Sequence, residues 1–292
     1  MTGLLAVMLA VGLALTYATL ARSARIVAAE RLERAADQLQ SLAGASITRL
    51  RTRVSDAARD RAVQEALVAP PAGADGARAV LERLLGPADS GLAVELWSAD
   101  GRRVAHAGRD LHAAGGVERW VREGGGAQQP TGPAGVGALP SSDSVLVGSL
   151  HLVGAVPHFW VVAPVRVGGV RRGFLARQYR INGGARAEET IRALTGADVS
   201  SYYRNVDGGL WTTISGEPAS APARDSSGRE VVISRRGDGE VLTAEKPIAG
   251  APFMLVLERP TRSVLVAPRG TVRQLAVLSA ALLLVGALAA LV

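Results

Sequence analysis

All the charge of this chain is confined to its middle. No Asp, Glu, Lys or Arg occurs before Arg22 or after Arg273, so the 33 basic and 26 acidic residues all lie between these two positions. The uncharged ends, residues 1–21 and 275–292, are made almost entirely of Ala, Leu, Val, Gly and Met. A helix of 18 residues is about 27 Å long, which is close to the thickness of a bilayer's hydrocarbon core. The pattern therefore predicts two transmembrane helices that enclose a polar middle region.

Two other interpretations of the apolar ends are open. Either end could form a helix in a buried core, although such helices seldom run this far without a polar interruption. The first could be a cleaved signal peptide, because small residues around Ala21 and Ala24 offer cleavage sites. Against this, the segment exceeds the usual apolar core of about 7–15 residues, and no Lys or Arg precedes it. An uncleaved membrane anchor is therefore favoured.

The composition excludes several classes of partner and site. The net charge of +7 is carried almost wholly by arginine, with Lys246 as the only lysine. The arginines are interspersed with acidic residues, which argues against a nucleic-acid partner and leaves the lipid bilayer as the expected one. The chain has no cysteine, which excludes a disulfide framework, a thiolate metal site and a cysteine nucleophile.

The charge bias gives a contrary indication of topology. Arg22 and Arg25 follow the first apolar segment, and Arg269 and Arg273 precede the second. The positive-inside rule, by which Lys and Arg flank membrane spans on the cytoplasmic side, would therefore place the middle region in the cytoplasm. Long domains are translocated largely regardless of charge, so this count does not decide the orientation.

Helical and strand periodicities divide the middle region. Apolar residues recur every three or four positions from Leu32 to Ala58, which predicts a stalk helix from about Arg25 to Leu67. After a short helix over about 76–85, the pattern predicts some five strands between Ala93 and Ile181. Short turns join most of them, which is typical of an antiparallel sheet. A helix ending near Gly196 and a second, smaller set of strands follow.

This order resembles the double Cache sensor domains of bacterial receptors, a PAS-like family. Residues 239–268, GEVLTAEKPIAGAPFMLVLERPTRSVLVAP, are similar to the membrane-proximal Cache module. Residues 160–181, WVVAPVRVGGVRRGFLARQYRI, are similar to the last two strands of the distal module, and residues 194–205 to the start of the proximal one. The resemblance implies an α+β fold, with a long N-terminal helix and two PAS-like antiparallel-sheet modules flanked by two transmembrane helices.

The resemblance also implies a division of the chain. It predicts transmembrane helix 1 over 1–21, the stalk helix over 22–70, the membrane-distal module over 71–184, the membrane-proximal module over 185–262, and a linker helix with transmembrane helix 2 over 263–292.

The sequence shows no catalytic or metal-binding pattern. The four histidines are not spaced as ligands of one metal ion, and no Gly-x-Ser-x-Gly motif occurs. We therefore expect no catalytic residue, metal or cofactor in this chain, and no enzymatic activity of its own.

A small-ligand pocket is the site that the sequence favours. Aromatic walls with a few fixed polar groups suit such a pocket, and arginine suits a carboxylate. The alternative is that the aromatic residues are core and the arginines solvated. Amino-acid-binding Cache domains carry an Arg-x-Trp-Tyr motif, but here the arginine and the tryptophan are adjacent, so amino-acid specificity is not carried over. The candidates are Arg119, Trp120, His158, Trp160, Arg177 and Tyr179.

These features predict the ligand-sensing and signalling region of a bacterial receptor. The resemblance implies a homodimer in the inner membrane, multi-pass, with the middle domain extracytoplasmic and a small polar or anionic ligand. It also leads us to expect that the natural chain continues past Val292 into an output module, a histidine kinase first of all. Two alternatives are a membrane-tethered assembly protein whose middle domain binds a partner protein, and a membrane-anchored enzyme.

Overall fold

One long helix begins the chain and carries both sheets. In the computed structural model, α1 runs over Thr2–Ala58, 57 residues, which is about 85 Å. The first predicted membrane segment and the stalk are thus one continuous helix. The structure describes residues 2–69, 73–86, 92–109, 144–181, 184–220, 231–236 and 239–289.

The first turns of α1 expose their apolar side chains. Among the described residues, α1 is the one helix that is long and apolar enough to cross a membrane, and its most apolar window is 6% buried. Val7, Met8 and Leu15 are each more than 60% exposed. A core helix would bury such side chains, so this exposure argues against the core interpretation.

The stalk ends earlier than the apolar spacing predicts. Helix α1 ends at Ala58, and a separate helix, α2, spans Arg61–Val68. Asp60 lies between them and caps α2, because its Oδ1 accepts a hydrogen bond from the amide of Ala62 at 2.9 Å. The prediction of an unbroken helix to Leu67 is wrong for this reason.

The first sheet follows α3, which spans Ala74–Leu85. Its pairings are antiparallel, in the order β2-β1-β6-β5-β3, with β4 also paired to β5. Gly168 and Gly169 turn the chain between β5 and β6 with φ of 60° and 81°, as a tight hairpin requires. The strands are β1 Ala93–Ser98, β2 Arg103–Gly108, β3 Leu146–Val147, β4 His151–Val153, β5 Val156–Val167 and β6 Val170–Arg180.

The second sheet follows α4, which spans Gly184–Thr195 and ends before Gly196, whose φ is 96°. It is also antiparallel, in the order β10-β11-β12-β7-β8-β9. The predicted α+β fold is confirmed. The strands are β7 Ser200–Asn205, β8 Trp211–Thr213, β9 Pro218–Ala219, β10 Val231–Arg236, β11 Gly239–Pro247 and β12 Phe253–Pro260.

Two helices close the described chain. They are α5, Thr261–Val264, and α6, Val266–Ala289. Val277, Leu278 and Leu284 of α6 are each more than 60% exposed. The side chains beyond Leu284 lie outside the described residues, so the second membrane span stays a prediction.

Helix α1 packs against one face of each sheet and joins the two in a single core. Leu39, Ile47 and Val54 of α1 belong to the same buried cluster as Phe159 of the first sheet and Leu255 of the second. Each of these side chains is at most 7% exposed. A shift of either sheet against α1 would therefore disturb the same core.

Polar contacts also fix the second sheet to α1, nearer the N-terminus of that helix. The ammonium of Lys246 lies 2.8 Å from Asp37 and 3.6 Å from Glu33. One helical turn further along α1, Gln40 donates a hydrogen bond to the carbonyl of Pro247 at 2.7 Å. The end of β11 is thereby held at a defined position along α1.

Candidate ligand-binding site

Strand register divides the predicted pocket residues between two faces of the first sheet. Residues directly opposite one another in antiparallel strands share a face, and successive residues alternate. Trp160 pairs with Gln178, whereas Arg177 pairs with Val161 and Tyr179 with Phe159. Trp160 therefore lies on one face, and Arg177 and Tyr179 on the other. The structure does not bring these three candidates together.

Arg177 and Tyr179 lie on the face that packs against the helices. Arg177 is 2% exposed, and its Nη2 donates to the carbonyl of Leu85 at the end of α3 at 3.2 Å. Its guanidinium lies 4.4 Å from the ring centre of Tyr179, which stacks on Phe159. A cation is favoured at the carbonyl end of a helix, so these contacts fasten α3 to the sheet. A ligand contact by Arg177 or Tyr179 stays a prediction.

Arg119 and Trp120 lie outside the described residues. Their predicted part in a pocket stays a prediction from the sequence.

The face of the first sheet that points away from α1 is buried, and we call it the outer face. Trp97 pairs with Phe174, Glu95 with Ala176, and Trp160 with Gln178 across three neighbouring strands. Glu95, Trp97, Trp160, Phe174 and Gln178 define this face, and each is at most 3% exposed. It combines aromatic walls with polar groups, as small-ligand sites do.

A buried carboxylate lies within the outer face. Glu95 Oε2 accepts a hydrogen bond from Nε1 of Trp97 at 3.0 Å, and its Oε1 lies 3.5 Å from Nη1 of Arg103. A buried carboxylate needs such partners to remain charged. The contacts fix the orientation of the Trp97 ring against Phe174.

Two donors of the outer face have no acceptor among the described residues. They are Nε1 of Trp160 and Nε2 of Gln178, both buried. Leaving a buried donor unpaired costs about 1–3 kcal/mol. A bound molecule with oxygen acceptors would remove this cost. Contacts with these two donors would therefore contribute most to its binding free energy.

A histidine pair extends the outer face beyond Trp160. His158 pairs with His151 across β5 and β4, and their ring centres are 6.4 Å apart. Nδ1 of His151 lies 3.3 Å from the carbonyl of Ser149, and Nδ1 of His158 lies 2.8 Å from that of Val156. Carbonyl oxygens only accept, so each Nδ1 carries the proton and Nε2 is left as an acceptor.

Burial keeps this histidine pair neutral. It lowers the pKa of His151 to about 4. It also lowers the pKa of His158, with smaller contributions from the positive charges of Arg180 and Arg109. Near pH 7 the pair can therefore take part in hydrogen bonds without adding charge to the site.

Of the residues predicted from the sequence, Trp160 and His158 lie on the outer face, and their part in ligand binding stays a prediction. Glu95 and Gln178 also lie there and were not among the predicted residues. A glutamate in a short strand is usually exposed, and its buried partner Trp97 lies two residues away on the same face. Gln178 stands between Arg177 and Tyr179, whose side chains lie on the opposite face of the sheet. Strict alternation along β6 was the signal that separates them.

Comparison with known proteins supports the fold. No protein-family model and no curated protein matches the chain. The ligand-binding domain of the Pseudomonas fluorescens chemoreceptor CtaA, solved in complex with L-isoleucine, has a TM-score of 0.50 and 14% identity, and the match covers 83% of this chain and 96% of that one. The sensory domain of the Campylobacter jejuni chemoreceptor Tlp3 (CcmL) has a TM-score of 0.50 and 10% identity, over 86% and 98%.

At these identities the likeness concerns the fold. The match covers most of each chain. The double Cache-like, PAS-like fold predicted from the sequence is confirmed.

Proposed function

We propose that this chain is the ligand-sensing region of a bacterial membrane receptor, and that the outer face of its first sheet binds a small organic carboxylate. The observation that carries the proposal is the pair of buried donors on that face, Trp160 Nε1 and Gln178 Nε2, which no described residue accepts from. The fold supports it, because chemoreceptor ligand-binding domains share the arrangement.

The chemistry of the outer face indicates the ligand class. Two donors side by side on paired strands suit the two oxygens of a carboxylate. The rings of Trp97 and Phe174 suit a short apolar substituent. The CtaA domain was solved with L-isoleucine, which has both features. Amino acids and short carboxylic acids are therefore the first molecules to test.

Helix α1 is the element that would carry the response to the membrane. It contacts both sheets and continues into the exposed apolar turns that begin the chain. A ligand that favours one arrangement of the first sheet on α1 would shift the balance between two positions of that helix. Homodimeric assembly and a histidine kinase as the output stay proposals from the resemblance.

Thermal unfolding with candidate ligands tests the proposed function. The full chain in lipid nanodiscs should be stabilised by one class of small carboxylate, by about 2.7 kcal/mol at a hundredfold excess over the dissociation constant. Gln178→Leu should abolish this response. Because it replaces an unpaired buried donor with an apolar group of similar size, the variant should fold at least as stably as the parent.

The control is Gln38→Leu, since Gln38 is exposed on α1 and should not affect the response. Two results would reject the proposal. One is that no amino acid or short carboxylic acid shifts the unfolding temperature at millimolar concentration. The other is that Gln178→Leu responds as fully as the parent.

The proposed orientation places the middle region outside the cytoplasm. Alkaline phosphatase, which is active only in the periplasm, should be active when fused after Gly216 in a bacterial host. β-Galactosidase fused at the same residue should be inactive. The reverse pair of results would place the sheets in the cytoplasm, as the arginine count indicates, and would contradict the receptor topology.

A further inference from the structure

A groove lies between α1 and the two helices that close the described chain. Its volume is about 480 Å³, within the range of roughly 300–1,000 Å³ that is typical of small-molecule sites. Leu20 and Thr271 are the lining residues nearest in sequence to the uncharged ends of the chain, and Arg31 lies about 16 Å further along α1 than Leu20. None of the five residues that define the outer face lines the groove. It is a separate feature, where both helices leave the sheets for the proposed membrane.

One face of α1 forms a wall of the groove. Leu20, Ala24, Val27 and Arg31 follow one another at steps of four, three and four residues, so their side chains share that face. Arg22 lies nine residues before Arg31, which is two and a half turns of helix. Its side chain therefore points to the opposite side of α1, and it is not among the lining residues.

The lining carries positive charge at the end away from the uncharged segments. Arg31 is exposed, and no described residue forms an ion pair with it. Arg259 lies opposite Leu242 on the face of the second sheet that packs against α1, and its Nε lies 2.8 Å from Asp198. No acidic residue is among the described lining residues. The guanidinium of Arg31 is thus a cation without a described counterion, above an otherwise largely apolar groove.

The proposed topology leaves the arginines beside the uncharged ends without a role. Arg22 and Arg25 follow the first of these ends, and Arg269 and Arg273 precede the second. The positive-inside rule expects such residues in the cytoplasm, whereas a receptor topology places them on the other side of the membrane. Basic residues next to membrane spans, and basic pockets between them, bind anionic lipid headgroups. Attraction of such lipids accounts for arginines that the topology does not require.

We propose that the groove binds one anionic phospholipid, with its phosphate at Arg31 and an acyl chain that passes Val27 and Ala24 into the bilayer. This inference rests on the proposed placement of both ends of the chain in the membrane. Since α1 forms one wall and α5 and α6 the other, a bound lipid would favour the separation of the helices at which the groove is open. The lipid would thereby act on the helices that carry the response.

Native mass spectrometry of the full chain in a non-ionic detergent tests the site. Dioleoylphosphatidylglycerol should form a one-to-one complex that is tighter than that of dioleoylphosphatidylcholine by about fivefold, the effect of one arginine on an anionic lipid. Arg31→Gln should bring this ratio to about one, and it should fold as the parent does because Arg31 is exposed. Arg22→Gln, on the opposite side of α1, is the matched control and should keep the preference.

A second pair of variants tests the acyl-chain part of the groove. Ala267 is exposed and lines it, so Ala267→Phe should fill the groove and abolish the one-to-one complex while the protein stays folded. Val266 is 66% exposed and is not a lining residue, so Val266→Phe should leave binding unchanged.

The outcomes separate this site from the proposed function. Arg31→Gln should keep the thermal response to small carboxylates. Flotation of the full chain with liposomes tests the membrane placement by itself, and a chain that does not float would reject the placement and the lipid site together. A chain that floats but binds both lipids equally would overturn the lipid site alone. So would an equal loss of preference in Arg22→Gln and Arg31→Gln, full binding by Ala267→Phe, or competition by glycerol 1-phosphate as strong as that by the lipid.

Discussion

Gly173→Ala should lower the free energy of unfolding by about 4 kcal/mol or more. Losses of this size arise from steric overlap in the core or from buried polar groups left without partners. Gly173 lies inside the first sheet, opposite Ser98 in β1 and Val165 in β5. A Cβ atom at this position would overlap the carbonyl oxygen of Trp97 and lie 2.9 Å from a methyl carbon of Leu67. Since β6 is paired on both sides, it cannot move away from one neighbour without breaking its bonds to the other.

Thermal unfolding followed by tryptophan fluorescence measures this effect, because Trp97 and Trp160 are buried in the affected sheet. For a domain of this size 4 kcal/mol corresponds to a fall of about 8–16 °C in unfolding temperature. The matched control is Gly44→Ala in α1, where the new Cβ would lie 3.6 Å from that of Ala249, an ordinary contact.

Alanine is a better helix former than glycine by about 1 kcal/mol, so the control should be neutral or slightly more stable. An unfolding temperature of Gly173→Ala within 2 °C of the parent would show that β6 can move away from Trp97, and would contradict the prediction. Gly173→Ala should also lose the stabilisation by small carboxylates, because Phe174 of the outer face adjoins the substituted residue.

The features of the fold that could be predicted are those encoded locally. The three- and four-residue spacing from Leu32 to Ala58 predicts a helix because side chains at those steps share one helical face. Gly168, Gly169 and Gly196 mark a hairpin and a helix end because their positive φ angles suit glycine. These local signals also carried the prediction of the fold, which chemoreceptor ligand-binding domains share.

The features that were missed are those that the spacing of apolar residues does not encode. The cap at Asp60 is local, but the apolar spacing continues across it, so periodicity alone hides the break between α1 and α2. The site needs the register of three strands. Only when Glu95 is placed opposite Ala176, and Trp160 opposite Gln178, does one face emerge with a carboxylate and with two donors that no described residue accepts from. Proximity in sequence does not show which residues share a face, because neighbours along a strand point to opposite faces.

Acidification from pH 7 to pH 5 should destabilise the protein through His151, by about 2 kcal/mol. Burial lowers the pKa of this imidazole in the folded state to about 4, whereas in an unfolded chain it is about 6.5. Above pH 7 the side chain is neutral in both states and contributes no pH dependence. Between pH 6.5 and 4 the unfolded state binds the proton and the folded state does not, so the free energy of unfolding falls as the pH falls.

His151→Gln isolates this contribution, because glutamine keeps a polar side chain but cannot titrate. Carboxylates protonate in the parent and the variant alike, so the quantity to measure is the difference between their unfolding free energies, taken at pH 7 and again at pH 5. That difference should move in favour of His151→Gln by about 2 kcal/mol. Part of the acid sensitivity should remain in the variant, because burial also lowers the pKa of neighbouring His158. Gln38→Leu, which changes no titratable group, is the control and should keep the parent's pH dependence. A parallel loss of stability in the parent and in His151→Gln would mean that His151 gains a proton in the folded protein as readily as in the unfolded chain, and would contradict the buried, neutral histidine pair at the edge of the outer face.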